Sequence, residues 1–182
     1  ISYPNPEPNN FSFNSPKGAC DNCNGLGVIN EINVKKIIPN PKLSIKQGGF
    51  VPLGEYKSSW IFKQLEAIGE KYDFKITDAI EKIPAEAMEM ILNGGKEKFT
   101  VTSKTLGVNR EYKIDFEGIS AFIKNKFEES APASLKRWAK EFMDEVQCPV
   151  CHDTRLKKGS LYFKVNGLSI AELSAMDISD LD

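Results

Sequence analysis

Ala19-Cys20-Asp21-Asn22-Cys23-Asn24-Gly25-Leu26-Gly27 and, far downstream, Cys148-Pro149-Val150-Cys151-His152-Asp153 hold all four cysteines of the chain. They form two Cys-x-x-Cys pairs. Such a pair can wrap a tight turn that turns both sulfurs toward one ion, and two such knuckles supply the four thiolates of a structural zinc site. Four thiolates in a dry turn need a divalent cation, because uncompensated charge there is costly. The 124 residues between Cys23 and Cys148 far exceed the usual knuckle spacing. Closure entropy, however, grows only with the logarithm of loop length, and a folded insertion that brings its own ends together lowers it further. Cysteine density is low and nothing marks secretion, so metal or redox chemistry is preferred over disulfides. No thioredoxin-like strand and helix pattern surrounds either pair, which weighs against redox. One zinc shared by Cys20, Cys23, Cys148 and Cys151 is expected, with independent thiols or a redox pair as the alternatives. His152, the only histidine, would be a fifth donor at an awkward neighbouring position and reads as an exposed bystander.

Outward from the knuckles, the first 18 residues are rich in Pro and Asn, which blocks helix. Phe11 and Phe13 alternate and predict a short strand. Residues 31–56 read as irregular, with turn signals at Pro39-Asn40-Pro41, Gly48-Gly49 and Gly54. From Ser59 a helix is predicted, with Trp60, Ile61, Gln64, Leu65, Ile68 and Tyr72 at three- and four-residue spacing. A second helix opens near Pro84 and stops at Gly94-Gly95. A hairpin follows, with Phe99 and Val101 on one strand, a turn at Leu106-Gly107, and Val108 to Ile114 on the other. Two more helices are predicted over roughly 118–128 and 133–146, the latter through Leu135, Trp138, Phe142 and Val146. Trp60, Trp138 and the phenylalanines are read as core. After Cys151, Leu161, Phe163 and Val165 predict a strand, Asn166-Gly167 a hairpin turn, and Ser169-Ile170-Ala171-Glu172 a capping box opening a short helix.

The fold class expected is α+β: a small mixed insertion domain of helices plus a β-hairpin, set into a split four-cysteine zinc module. Boundaries fall near residues 30 and 146, giving a first arm at 1–30, an insertion at 31–146 and a second arm at 147–182. Apolar residues make up 41% of the chain, enough for a real core. No apolar run is long enough to cross a bilayer, and the start at Ile1 and stop at Asp182 are read as cuts in a longer protein. The net charge of −1 argues against a strongly basic nucleic-acid binder, yet residues 94–140 hold ten Lys and Arg against six Asp and Glu. No GxxxxGK[ST] phosphate loop is present, and no Ser/His/Asp set is credible around a histidine inside the second knuckle. The carboxylate pair Asp144-Glu145 reads as solvated.

The run Phe11-Ser12-Phe13-Asn14-Ser15-Pro16-Lys17-Gly18-Ala19-Cys20 through Cys23-Asn24-Gly25-Leu26-Gly27 closely resembles the UvrA family of the bacterial excinuclease. That family carries an FSFN-P-GAC-x-x-C-x-GLG segment. Cys148-Pro149-Val150-Cys151 with Arg155-Leu156 resembles its CxxC-x-G-x-RL return, and Val165–Met176 the strand and helix after it. Asp115-Phe116-Glu117-Gly118-Ile119 resembles a segment late in its insertion domain. Two positions depart from the pattern: Asp21 stands where the family often has proline, and Asp153 where it usually has glycine. Asp tolerates the positive φ such a glycine position can require.

The resemblance implies one structural zinc per chain at the base of an insertion domain. It implies a cytoplasmic parent that is a homodimeric ABC-type ATPase, probing damaged double-stranded DNA and loading the excinuclease component UvrB. The parent's Walker A loop and LSGGE-type signature lie outside this piece, so no enzymatic activity is expected of it and ATP belongs to the parent alone. DNA contacts are expected from Lys98, Lys104, Arg110, Lys113, Lys124, Lys126, Lys136, Arg137 and Lys140, on the hairpin and the two helices after it. A pure scaffold role in the parent's DNA clamp is the alternative. A DnaJ-like chaperone zinc domain fits less well, since it needs four such pairs in close succession.

Overall fold

The computed structural model describes residues 5–96, 98–105, 108–128 and 130–180, with the backbone alone over 98–105 and 108–114. The chain forms two compact units. Residues 1–31 and 145–182 make the first, and residues 32–144 the second.

The second unit is built around helices whose apolar faces share one core. Asn33 caps a single helical turn, α1 (Val34–Ile37), accepting a hydrogen bond from the Lys35 backbone N–H at 2.9 Å. The sequence does not announce this turn, because four residues carry no readable period. The long segment after it is pinned at Ser44 and Gln47. The Ser44 N–H donates to Gln47 Oε1, and the Gln47 N–H donates to Ser44 Oγ. Helix α2 (Trp60–Tyr72) follows and ends on Asp73 in the left-handed conformation, where the Phe74 N–H donates to the Gly69 carbonyl. Its buried face is Phe62, Leu65, Ile68 and Gly69. Trp60, expected inside, is 43% exposed, because it occupies the first turn outside that stripe. Helix α3 (Ala85–Asn93) buries Ala87, Met90, Ile91 and Leu92 and stops at Gly94, φ 74°.

Strands β2 (Lys98–Thr105) and β3 (Val108–Asp115) pair antiparallel from Lys98↔Asp115 to Thr105↔Val108. The predicted hairpin is therefore present; its expected turn at Leu106-Gly107 lies outside the described residues. The hairpin's base is closed by two glycines. A Cβ on Gly94 would collide with the Glu117 backbone, and one on Gly118 with the Gly94 nitrogen. Only residues without a side chain permit this approach. Helix α4 (Ile119–Phe127) buries Ile119 and Ile123. Helix α5 (Ala133–Lys140) packs beside it through an aromatic column, Phe122 to Trp138 at 6.0 Å and Trp138 to Phe142 at 5.1 Å.

The α5 helix is shorter than expected. After Lys140 the chain turns, buries Phe142 and Met143, and becomes β4 (Met143–Gln147). Its partner is β1 (Val28–Ile32). Residues 31 and 32, in the stretch expected to be irregular, therefore lie on a strand. Lys36 Nζ holds β4 from α1, lying 2.6 Å from both Asp144 Oδ1 and the Met143 carbonyl oxygen.

The first unit has little apolar interior. Its buried hydrophobic side chains, among the described residues, are the four cysteines and Leu156. Pro8–Phe11 is a short 3₁₀ helix in which Glu7 and Asn10 cap one another. This replaces the strand expected at Phe11 and Phe13; Phe13 is exposed and lies under the Arg155 guanidinium at 5.5 Å. Residues Lys158–Tyr162 are likewise a 3₁₀ helix, so Leu161 is not on a strand. The hairpin turn at Asn166-Gly167 is present, with φ of 51° and 83°. It joins β5 (Lys164–Val165) to β6 (Leu168–Ser169). The capping box at Ser169 and Glu172 opens α6 (Ile170–Ser174). No helix among the described residues is long and apolar enough to cross a membrane.

Candidate metal centre and basic surface

The two knuckles of the first unit repeat one backbone. Positive φ falls at the first, second and fourth residues after Cys23 (Asn24 51°, Gly25 79°, Gly27 83°). It falls at the same three places after Cys151 (His152 48°, Asp153 69°, Arg155 63°). The crossed hydrogen bonds repeat too. The Cys20 N–H donates to the Arg155 carbonyl and the Cys148 N–H to the Gly27 carbonyl, each at 2.8 Å. The first cysteine of each knuckle is thus tied to the end of the other, and an approximate dyad passes between the pairs. Asp153 sits where Gly25 sits in the other knuckle and takes the left-handed conformation anticipated for it.

This closure brings Cys20, Cys23, Cys148 and Cys151 together, all buried, with their four sulfurs within 4.8 Å of one another. Cys23 Sγ lies 3.6 Å from Cys151 Sγ. A tetrahedral ion with metal–sulfur bonds near 2.3 Å sets its sulfurs about 3.8 Å apart, so the four side chains fit such an ion. Tetrahedral S₄ sites hold zinc or iron–sulfur chemistry. His152 is exposed and stands outside the cluster.

Hydrogen bonding and burial set two of the four thiols apart. Burial works against ionising Cys148, but N–H donors from the Cys151 backbone, the Asn22 side chain and the Val150 backbone outweigh it and bring the thiol down to about 6. Burial pushes Cys151 up to about 12, and the hydrogen bonds linking it to the other three cysteines push the same way, against the Arg155 N–H. The surroundings thus favour the thiolate at Cys148 and resist it at Cys151. A bound divalent ion would favour the thiolate form of its ligands. Two donors to sulfur go beyond the sequence reading: Asn22 Nδ2 to Cys148 Sγ and the Gly27 N–H to Cys23 Sγ, each 3.3 Å. The signal for both lies in the knuckle sequence itself.

The cations expected to touch DNA are in the second unit. Lys124, Arg137 and Lys140 are exposed. Lys126 is half-buried, its ammonium 5.7 Å from the Phe122 ring centre. Lys136 and Lys140 each already take part in an interaction within the chain. The side chains of Lys98, Lys104, Arg110 and Lys113 lie outside the described residues. By pairing register, Lys98 stands opposite Asp115 and Lys113 opposite Thr100.

The UvrA DNA-binding domain family matches residues 34–141, more than half of the chain. The chain belongs to this family. Two relatives called UvrABC system protein A extend the UvrA likeness beyond that segment. The one from Mycobacterium bovis is 34% identical over 177 residues, covering 96% of this chain and 18% of that protein. The one from Clostridium perfringens is 33% identical over 183 residues, covering 99% and 20%. This chain therefore spans about a fifth of the length of these UvrA relatives. The crystal structure of UvrA2 from Deinococcus radiodurans has the same fold, with a TM-score of 0.73 at 23% identity over 99% of this chain and 24% of that one.

Proposed function

We propose that this chain is the DNA-contacting part of a longer UvrA-type damage-recognition protein of nucleotide excision repair, with one structural zinc held by Cys20, Cys23, Cys148 and Cys151. The observation that carries this reading is an arrangement along the chain. The segment matched as a UvrA DNA-binding domain, 34–141, is bracketed by the two knuckles that build the four-sulfur site. Zinc suits that site because it accepts four thiolates tetrahedrally and brings no redox chemistry of its own. The contact proposed is with phosphates, through Lys98, Lys104, Arg110, Lys113, Lys124, Lys126, Lys136, Arg137 and Lys140. A damage sensor must tolerate any base sequence, and phosphate contacts carry none. The longer protein would be a cytoplasmic, homodimeric ABC-type ATPase acting with the excinuclease component UvrB. ATP turnover would reside outside this chain, whose sequence has no glycine-rich loop with a lysine at a helix start.

A second reading, a scaffold that shapes the parent's DNA clamp without touching DNA, is favoured by one observation. Lys126, Lys136 and Lys140 each already make an interaction within the chain. Metal analysis of freshly purified, reduced protein, paired with duplex-binding titrations at low salt, tests both parts. One zinc per chain, lost in Cys23→Ser and Cys148→Ser, and binding indifferent to duplex sequence support the proposal. Zinc-free protein sinks the metal assignment, and zinc-loaded protein with no affinity for DNA favours the scaffold.

A further inference from the structure

The approximate dyad of the metal centre relates the backbones of the two knuckles but not their side chains. The residue before the second cysteine is Asn22 in the first knuckle and Val150 in the second. Asn22 reaches across the centre, 126 positions along the chain, and its amide Nδ2 stands 3.3 Å from Cys148 Sγ. Val150 has no polar side-chain atom to offer Cys20 in return. We infer that Asn22 is a positioning residue of the metal centre, donating a hydrogen bond from one knuckle to a sulfur ligand of the other. The inference rests on the metal-site reading above.

Three physical features bear on this hydrogen bond. Four thiolates on a divalent ion leave a net charge of −2, and each N–H aimed at a sulfur offsets part of it. Partners of this kind orient ligands and tune the metal, and their loss typically costs about 10–100-fold in affinity. Second, the backbone already gives each knuckle its own donors, such as the Gly27 N–H to Cys23 Sγ. Asn22 is different because it crosses between knuckles, adding a side-chain tie to the backbone ties at Cys20 and Cys148. Third, the residue is exposed on its turn, so replacing it opens no cavity. What it loses is the donor. The neighbouring Asp21 on the same turn points elsewhere, to Lys157 Nζ at 2.8 Å.

The test uses the full chain with cobalt in place of zinc for spectroscopy, and zinc with a competing chelator for release. A hydrogen bond lowers the energy of the sulfur lone pair, so removing it shifts sulfur-to-cobalt charge transfer to lower energy. Asn22→Ala is expected to bind one ion per chain, to show that shift, and to lose zinc about tenfold faster than the parent. Asn22→Asp keeps the shape but turns a carboxylate toward the thiolate, and should lose zinc faster still. Asp21→Ala should leave the band in place. An Asn22→Ala protein with the parent's band and release rate overturns the inference, as does an equal band shift in Asp21→Ala, which would mark a mere disturbance of the turn. If the unsubstituted chain itself binds no ion, the metal reading fails instead, and the two failures are told apart.

Discussion

Asp153 and Gly25 occupy equivalent places in the two knuckles, both at positive φ, yet they differ in what a substitution would do. A side chain in the left-handed region costs roughly 1–2 kcal/mol, less for Asp, whose short polar side chain can bond locally. Gly25→Ala would add that cost and also drive its Cβ into the Phe13 carbonyl oxygen. We expect it to destabilise the metal-loaded chain by more than about 2 kcal/mol. Asp153→Gly relieves the conformational cost but enlarges the unfolded ensemble by about 0.4–1 kcal/mol. A small gain, under about 1 kcal/mol, should result. Urea unfolding with zinc in excess measures both, and a Gly25→Ala protein as stable as its parent would contradict the shared knuckle backbone. The clustering of the four cysteines is legible in the sequence, because they occur as two Cys-x-x-Cys pairs with no other cysteine in the chain. The positive φ of His152 and Arg155 is not, since neither residue type announces it.

Among the elements, the readable ones are those whose pattern fits a single period or a specific turn chemistry. Asn166-Gly167 and the Ser169/Glu172 capping box form as expected, because their residues are chosen by local backbone geometry. The overlong α5 has a different cause. Phe142 and Val146 lie four apart, a spacing that satisfies a helical turn and also two strand repeats, so it cannot say where helix gives way to β4. Leu161 misleads in the same way: it alternates with Phe163 and Val165 in sequence, but the backbone coils into a 3₁₀ turn at Leu161, and only Val165 lies on a strand. Strand β4 carries a testable electrostatic link. Hydrogen bonds from Lys36 and then Asn33 hold the Asp144 carboxyl below its ordinary value, against burial. A depressed folded pKa means the stabilisation is full above the unfolded value of about 3.9 and fades as pH falls through the folded one. Asp144→Asn should therefore be less stable than the parent at neutral pH, with the gap closing as pH drops below about 4. Both tryptophans, Trp60 and Trp138, lie in this unit, so their fluorescence follows its unfolding without interference from metal loss. A gap that stays constant well below the unfolded value, down to about pH 3, would show that the pair contributes nothing.

Across the whole molecule, stability is distributed unevenly, and so is charge. The second unit has an extended buried core from Ile37 to Met143, whereas the first buries its cysteines and little else that is apolar. A unit so poor in core is expected to need a bound metal for folding. Chelating the zinc should expose the amides of residues 5–31 and 145–180 to hydrogen exchange while the tryptophan signal of the second unit holds; loss of both together would mean one cooperative fold. Residues 94–140 carry ten cationic side chains against six acidic ones, a modest excess, and for the isolated chain we expect a dissociation constant of roughly 10⁻⁴ M or weaker at physiological salt. Binding should strengthen steeply at low salt, since each neutralised phosphate releases condensed counterions and steepens the logarithmic salt dependence by about 0.9. Lys124 and Arg137 are the natural residues to reverse, because both are exposed and neither is in the core. Lys124→Glu with Arg137→Glu should weaken binding to duplexes of unrelated sequence by the same factor and lower the salt slope by about 2 if each meets one phosphate. The same double variant with unchanged affinity and slope would move the contact to the hairpin cations Lys98, Lys104, Arg110 and Lys113. Absence of binding in both proteins at low salt would instead favour the scaffold.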